Sequence, residues 1–257
     1  MTASNAVEIL AVPGIPLVRK DDDLVRLIGD GVVRGGIVPR DGDVFVLAQK
    51  IVSKAEGRTF DLAAVQPSAA AIELAGRIQK DPRLVELILS ESARVVRARP
   101  GLLIVEHRLG LVMANAGVDQ SNVASPDAPQ QVLLLPVDPD RSAATLRNRL
   151  SQEFGVSVAV VINDSFGRAW RRGTCGVAIG AAGLPALMDL RGSPDLFGRT
   201  LQVSITGFAD EIAAAASLVM GQGAEGQPVV VVRGLAWRGP DNAASELLRP
   251  AAEDMFR

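Results

Sequence analysis

Residues 142–162, SAATLRNRLSQEFGVSVAVVI, place a helix and a strand back to back, and this pairing governs the fold class. Ala143, Leu146, Leu150 and Phe154 recur on one stripe at helical spacing, Ser142 can cap the start, and Gly155 stops the helix. Residues 156–162 then form an apolar, valine-rich run of the kind a strand shows when both its faces are buried. The same signals recur outward along the chain. Residues 7–12 and 44–48 predict strands, the first running into Pro13-Gly14-Ile15-Pro16, which must be a turn or a rigid extended loop. Residues 22–31 carry Leu24, Leu27 and Ile28 at helical spacing, and residues 68–80 and 82–92 predict a helical hairpin. Between residues 95 and 116, short apolar runs broken by Arg99-Pro100-Gly101 and Arg108-Leu109-Gly110 predict an antiparallel meander. Residues 210–220 predict a helix with acids in its first turn and Gly221 at its end, followed by a strand over 228–232. With no exact internal repeat, this mixture is α/β or α+β.

Composition narrows the function classes. The chain has 257 residues, 48% hydrophobic and 22% charged, with 27 Lys+Arg against 29 Asp+Glu. Such a chain can bury about 70–75% of its unfolded surface, as one large domain or two modest ones. A single Cys (Cys175) and a single His (His107) exclude a disulfide framework and a closed Cys/His zinc site, so any metal must be held mainly by oxygen. Near-neutral charge and 4% aromatic residues offer neither a funnel nor a stacking platform for nucleic acid. The N-terminus MTASNAVEIL has no basic, apolar leader pattern, and no run approaches a membrane span, so a cytoplasmic protein without membrane or nucleic-acid partners is expected.

Three segments end apolar strands with carboxylates beside small polar residues. The first is Asn163-Asp164-Ser165-Phe166-Gly167-Arg168-Ala169-Trp170-Arg171-Arg172-Gly173. Asp164 at a strand's end can hold Mg²⁺ or Mn²⁺, Ser165 can add an oxygen, and the arginines can meet phosphate or carboxylate; a turn with a solvated basic face is the alternative. The second, residues 114–122, offers Asp119 and Asn122, or simply an Asx-turn. In the third, residues 50–58, Lys54 can sit over phosphates and Glu56 can pair with Arg58, or the stretch is a solvated strand end. There is no Walker motif and no G-x-S-x-G elbow, and Gly221-Gln222-Gly223 is too short for a dinucleotide fingerprint. His107 and Cys175 read as structural. Residue chemistry alone reaches metal-assisted work on an anionic ligand.

These segments are long, collinear and specific. Residues 43–58, residues 114–123, the run from Asp164 to Gly173, Ala178-Ile179-Gly180-Ala181-Ala182-Gly183, residues 195–201, Ala209-Asp210-Glu211-Ile212-Ala213 and Val231-Val232-Arg233-Gly234 closely resemble the coenzyme F-420:L-glutamate ligase (gamma-glutamyl ligase) family. The resemblance spans Val7 to about Phe256. It implies an α+β fold of mixed, largely antiparallel sheets with packed helices, forming an intertwined homodimer. It implies one ligase domain over 1–257, with room for two subdomains and without the C-terminal flavin-binding, nitroreductase-like domain of some relatives.

The implied reaction is GTP-dependent joining of L-glutamate to the lactyl carboxylate of the coenzyme F-420 precursor through an acyl phosphate, followed by further γ-linked additions. Phosphoryl transfer needs charge neutralisation and alignment more than a protein nucleophile. By the resemblance, Asp119 and Asp164 are metal ligands and, with Lys54, the catalytic set. Ser165 and Gln222 complete the sites for two Mg²⁺ or Mn²⁺ ions, with K⁺ a further candidate. Ile15, Pro16, Leu17 and Val18 form the first nucleotide loop, Gln49, Lys50 and Lys54 the second, and Asn122 the third. Met220, Gly221, Gln222, Gly223, Ala224, Glu225, Gly226 and Gln227 form the last. Gln222 stands where a carboxylate is expected, a neutral and weaker hard-ion ligand, and Gln49-Lys50 replaces small hydroxyl residues. A metal-dependent phosphotransferase or hydrolase on another anion, and a non-catalytic deazaflavin binder, are the alternatives.

Overall fold

The computed structural model describes residues 6–123 and 130–255. Residues 1–5, which bear on the leader reading, and Phe256, where the resemblance ends, lie outside them. The chain runs β1 (Glu8–Ala11), α1 (Leu24–Arg34), β2 (Val44–Ala48), α2 (Gln49–Ala55), β3 (Thr59–Asp61), α3 (Ala69–Ile78), α4 (Pro82–Ser90), β4 (Ser92–Arg99), β5 (Leu102–His107), β6 (Val112–Ala114) and β7 (Gln131–Leu133). It continues through α5 (Pro139–Phe154), β8 (Ala159–Gly167), β9 (Thr174–Ala182), β10 (Met188–Asp189), β11 (Ile205–Thr206), α6 (Phe208–Met220) and β12 (Val229–Arg233). No helix among the described residues is long and apolar enough to cross a membrane.

The main sheet has the order β1-β12-β2-β8-β9, antiparallel throughout except for the parallel pair β2/β8. Its strands are buried on both faces. Val160 and Ile162 enter a core shared with α1, α2 and α5, while Val161 enters a second core against α6. Phe45 is fully buried and stacks on Phe154 with ring centroids 5.5 Å apart. Burying each such side chain stabilises the fold by about 1.5–3 kcal/mol. The meander β4-β5-β6 packs on the α3/α4 hairpin around a separate core that includes Ile78, Ile88, Leu103 and Val105. The class is therefore α+β with largely antiparallel sheets.

Local differences have physical causes. Residues 49–55 are a helix, not a strand end: Ile51 and Val52 face the core, Ser53 Oγ donates to Gln49 Oε1 at 2.9 Å, and Lys50 and Lys54 lie one turn apart. Helix α5 starts before Ser142, with Asp138 as its cap (Arg141 N to Oδ1, 3.0 Å) and Pro139 in its first turn. Glu56 does not pair with Arg58; it accepts from Ser142 Oγ and Val137 N, and Arg58 Nη2 bonds Glu91 at 2.7 Å. Strand β8 runs past Asp164 to Gly167, zipped to β9, so Asp164 lies within a strand rather than at its end. The arginines of that segment sit on or beyond the exposed tip of this hairpin.

Candidate active site

Strand direction brings the site together. The carboxyl ends of β2 and β8 lie side by side, with Ala48 opposite Asn163. Because β12 is antiparallel to both β1 and β2, its first residue pairs with Leu47, and Val12 N donates to Val229 O at 2.9 Å. The loop after β1, the start of α2, the β8 extension and the loop between α6 and β12 consequently gather at one end of the sheet. In open sheets, crevices outside the carboxyl ends of parallel strands are favoured ligand sites.

Asp119 is fixed by its backbone, which exchanges hydrogen bonds with Leu133 at 3.0 and 2.8 Å. Its Oδ1 accepts from Ser121 N and Ser121 Oγ, both at 2.7 Å, so the Asx-turn is present. The other oxygen, Oδ2, meets Lys50 Nζ at 2.7 Å. Burial opposes the charge on Asp119, but the bonds from Lys50 and Ser121 outweigh it and hold its carboxyl below the usual carboxylate range. Lys54 Nζ donates to Asn122 O at 2.8 Å, and Asn122 Nδ2 to Gly223 O at 3.1 Å. The segment 119–122 is thus stitched to α2 on one side and to the loop after α6 on the other. Burial, and then the charge of Lys50, lower the pKa of Lys54.

Asp164 behaves differently. Burial pushes its pKa from 3.8 up to about 6; a hydrogen bond from Ser165 N (2.7 Å) opposes this, the Asp119 charge adds to it, and the Lys50 charge subtracts. At neutral pH this carboxylate is ionised at a free-energy cost that a neighbouring positive charge would offset. Ser165 Oγ donates to Gln222 Oε1 at 2.7 Å, so the structure places these two side chains next to each other. The donor set is all oxygen, as Mg²⁺ and Mn²⁺ prefer. Among the described residues no group of three or more His, Cys, Asp or Glu gathers that could hold a metal ion.

The remaining expected contacts are distributed unevenly. Pro16 and Leu17 face solvent, whereas Val18 is in the core and Ile15 packs partly against it. Gln49 is buried. Met220 packs in the core under α6, Gly221 ends that helix at φ +72°, and Glu225 accepts from Gly223 N at 2.8 Å. Ala224, Gly226 and Gln227 complete the loop, the first two exposed and Gln227 half-buried. Two residues to which the sequence reading gave no role join the site. Ser121 is marked only by its D-x-S spacing. Asn163 is buried and donates to Ser217 Oγ at 2.9 Å and to Met220 Sδ at 3.3 Å, while its Oδ1 has no hydrogen-bond partner.

Fold and site define an α+β protein in which two carboxylates and two lysines converge at one end of the main sheet. The model of the F420-0:Gamma-glutamyl ligase family matches residues 14–234, and the chain belongs to that family. It is 44% identical over 253 residues to the Coenzyme F420:L-glutamate ligase of Methanothermobacter thermautotrophicus, covering 98% of this chain and 99% of that one. Enzymes of the same name from Methanopyrus kandleri (46% over 256 residues, 96% of this chain and 98% of that one) and Archaeoglobus fulgidus (43% over 251 residues, 98% and 96%) are also similar.

Proposed function

We propose that the chain is a GTP-dependent ligase that joins L-glutamate to the lactyl carboxylate of the coenzyme F-420 precursor and then extends it through γ-linkages. The observation that carries this reading is the convergence of Asp119, Asp164, Lys50 and Lys54 at the carboxyl end of β2 and β8, in a chain similar over nearly its full length to named ligases. The precursor carboxylate attacks the γ-phosphorus of GTP, giving an acyl phosphate and GDP. The glutamate amine then attacks the acyl carbon, phosphate leaves, and the amine loses its proton as the amide forms. Lys54 supplies positive charge to the phosphates and Asn122 positions the last nucleotide loop. Asp119, Asp164, Ser165 and Gln222 would hold Mg²⁺ or Mn²⁺, and the ion would neutralise charge on the transferring phosphoryl group. A cytoplasmic homodimer is part of the same reading; the exposed Trp170, Leu196 and Phe197 offer apolar surface to a second copy, and sedimentation tests this.

The test is mass spectrometry of deazaflavin precursor incubated with enzyme, L-glutamate, GTP and Mn²⁺, with each component omitted in turn. A ladder of glutamyl additions that vanishes without GTP is expected. GTP hydrolysis with no mass shift refutes the ligase in favour of a phosphotransferase with another acceptor, and neither change points to a binder.

A further inference from the structure

We propose that Lys50 is the resident counter-ion of the Asp119 carboxylate, displaced when a divalent cation binds there and thereby released toward phosphate. The inference rests on the metal reading above and adds a residue whose role is exchange. An ammonium has three donors, and all three of Lys50's find oxygens: Asp119 Oδ2 at 2.7 Å, Ser121 Oγ at 2.7 Å and Ser121 O at 3.0 Å. The side chain therefore ends in a ready-made oxygen cradle. Lys54, one turn later on α2, reaches the same loop at Asn122 O, but among the described residues it pairs with no carboxylate. The two lysines share a helix face and differ in this one respect.

Position and exposure both allow exchange. The Lys50 and Asp119 side chains are 27% and 32% exposed, so the pair can part without unfolding. A divalent ion bound at Asp119 cannot share Oδ2 with an ammonium that already sits 2.7 Å from it. Lys50 would then need another anion, and a nucleotide phosphate is the one the reaction supplies. Metal and nucleotide would assist each other through this side chain, a reciprocal coupling. If Lys50 were only a clamp for the 119–122 loop, removing it would loosen Asp119 and weaken metal binding. Exchange predicts the opposite sign.

The test is Mn²⁺ titration of the nucleotide-free protein, followed by the electron paramagnetic resonance signal of free Mn²⁺, with thermal melts confirming that each variant is folded. Lys50→Met is expected to tighten Mn²⁺ binding about three- to ten-fold, the scale of removing a competing charge at a partly exposed pair. Lys50→Arg, which keeps the charge, should stay close to wild type, and Lys54→Met should change binding much less than Lys50→Met. Unchanged or weaker Mn²⁺ binding in Lys50→Met, or equal tightening in Lys54→Met, overturns the exchange role while leaving the metal site standing. No Mn²⁺ binding in wild type or any variant, even with GTP present, refutes the metal reading itself and the exchange with it.

Discussion

Replacing Asp164 by Asn should stabilise the metal-free protein while abolishing turnover. Burial raises the Asp164 pKa from 3.8 to about 6, so the fold favours the protonated acid and is penalised when the carboxylate is forced to ionise. At about 1.36 kcal/mol per pKa unit, that penalty is at most ~3 kcal/mol above pH 7. Partial exposure of the side chain reduces it, and ~1–3 kcal/mol is a fair range. The sign follows from linkage. The stability owed to the protonated acid is fully present below pH 4 and is lost as pH rises through about 6. Asn is neutral at every pH, and its Oδ1 can keep the bond from Ser165 N. Urea unfolding of both proteins in chelator, from pH 4 to pH 8, should show the variant's advantage growing from near zero to its maximum across that window. Saturating Mn²⁺ should then stabilise wild type more than the variant. An advantage that is absent at pH 8, or constant with pH, would refute the reasoning.

Lys54→Ala should raise the KM for GTP about ten-fold with a smaller change in kcat, the scale of one charge-assisted hydrogen bond; an unchanged KM removes Lys54 from the phosphate site. Glu91 is buried, bonded to Arg58 (2.7 Å) and Arg108 (2.6 Å) with His107 Nε2 at 3.5 Å, and although burial opposes its charge these partners hold its pKa at about 2. Glu91→Gln should cost ~3 kcal/mol or more above pH 4.5, and the deficit should shrink as pH falls toward 2, read from urea midpoints. Gly176→Ala should cost ~1–3 kcal/mol in the same assay, because its new methyl meets Ala213 O and Ser217 Oγ of α6. Gln222→Glu should strengthen Mn²⁺ binding by supplying the missing carboxylate, measured by calorimetry; no change would mean that the Ser165–Gln222 pair binds no ion.

The long elements are legible in the sequence because local and global signals agree. Helix α5 shows its stripe and its stop, with Gly155 at φ +66°, and the turns of the meander fall at Gly101 and Gly110, both at positive φ. Helix α2 is hidden because seven residues are too few to show a period. Strand β9, TCGVAIGAA, is hidden for another reason: its small residues have weak strand preference and are needed for packing. A side chain at Gly180 would strike Pro139 O at the start of α5, just as one at Gly176 would strike α6. Asp119, Asp164 and Lys54 could each be singled out from chemistry, but not placed together. Their meeting depends on the pairing of β2 with β8, more than a hundred residues apart in the chain, for which no local pattern exists.

Strand alternation also explains how neighbouring residues serve different parts of the site. Successive side chains of β8 point to opposite faces. Val161, Asn163 and Ser165 take the α6 side, where they meet that helix's core, Ser217 with Met220, and Gln222 in turn. Val160, Ile162 and Asp164 take the other, where the core of α1, α2 and α5 gives way to the field of Asp119 and Lys50. The oxygen donors thus form one group centred on α2 and another on the end of α6. Asn163 ties the second group down by holding Met220 two residues before Gln222, and Asn122 joins the groups through Gly223. A shift of β8 by one residue would exchange Asp164 with Ser165 and turn each toward the other's neighbours. The valine-rich strand core that makes the fold recognisable therefore also fixes which oxygen faces which neighbour.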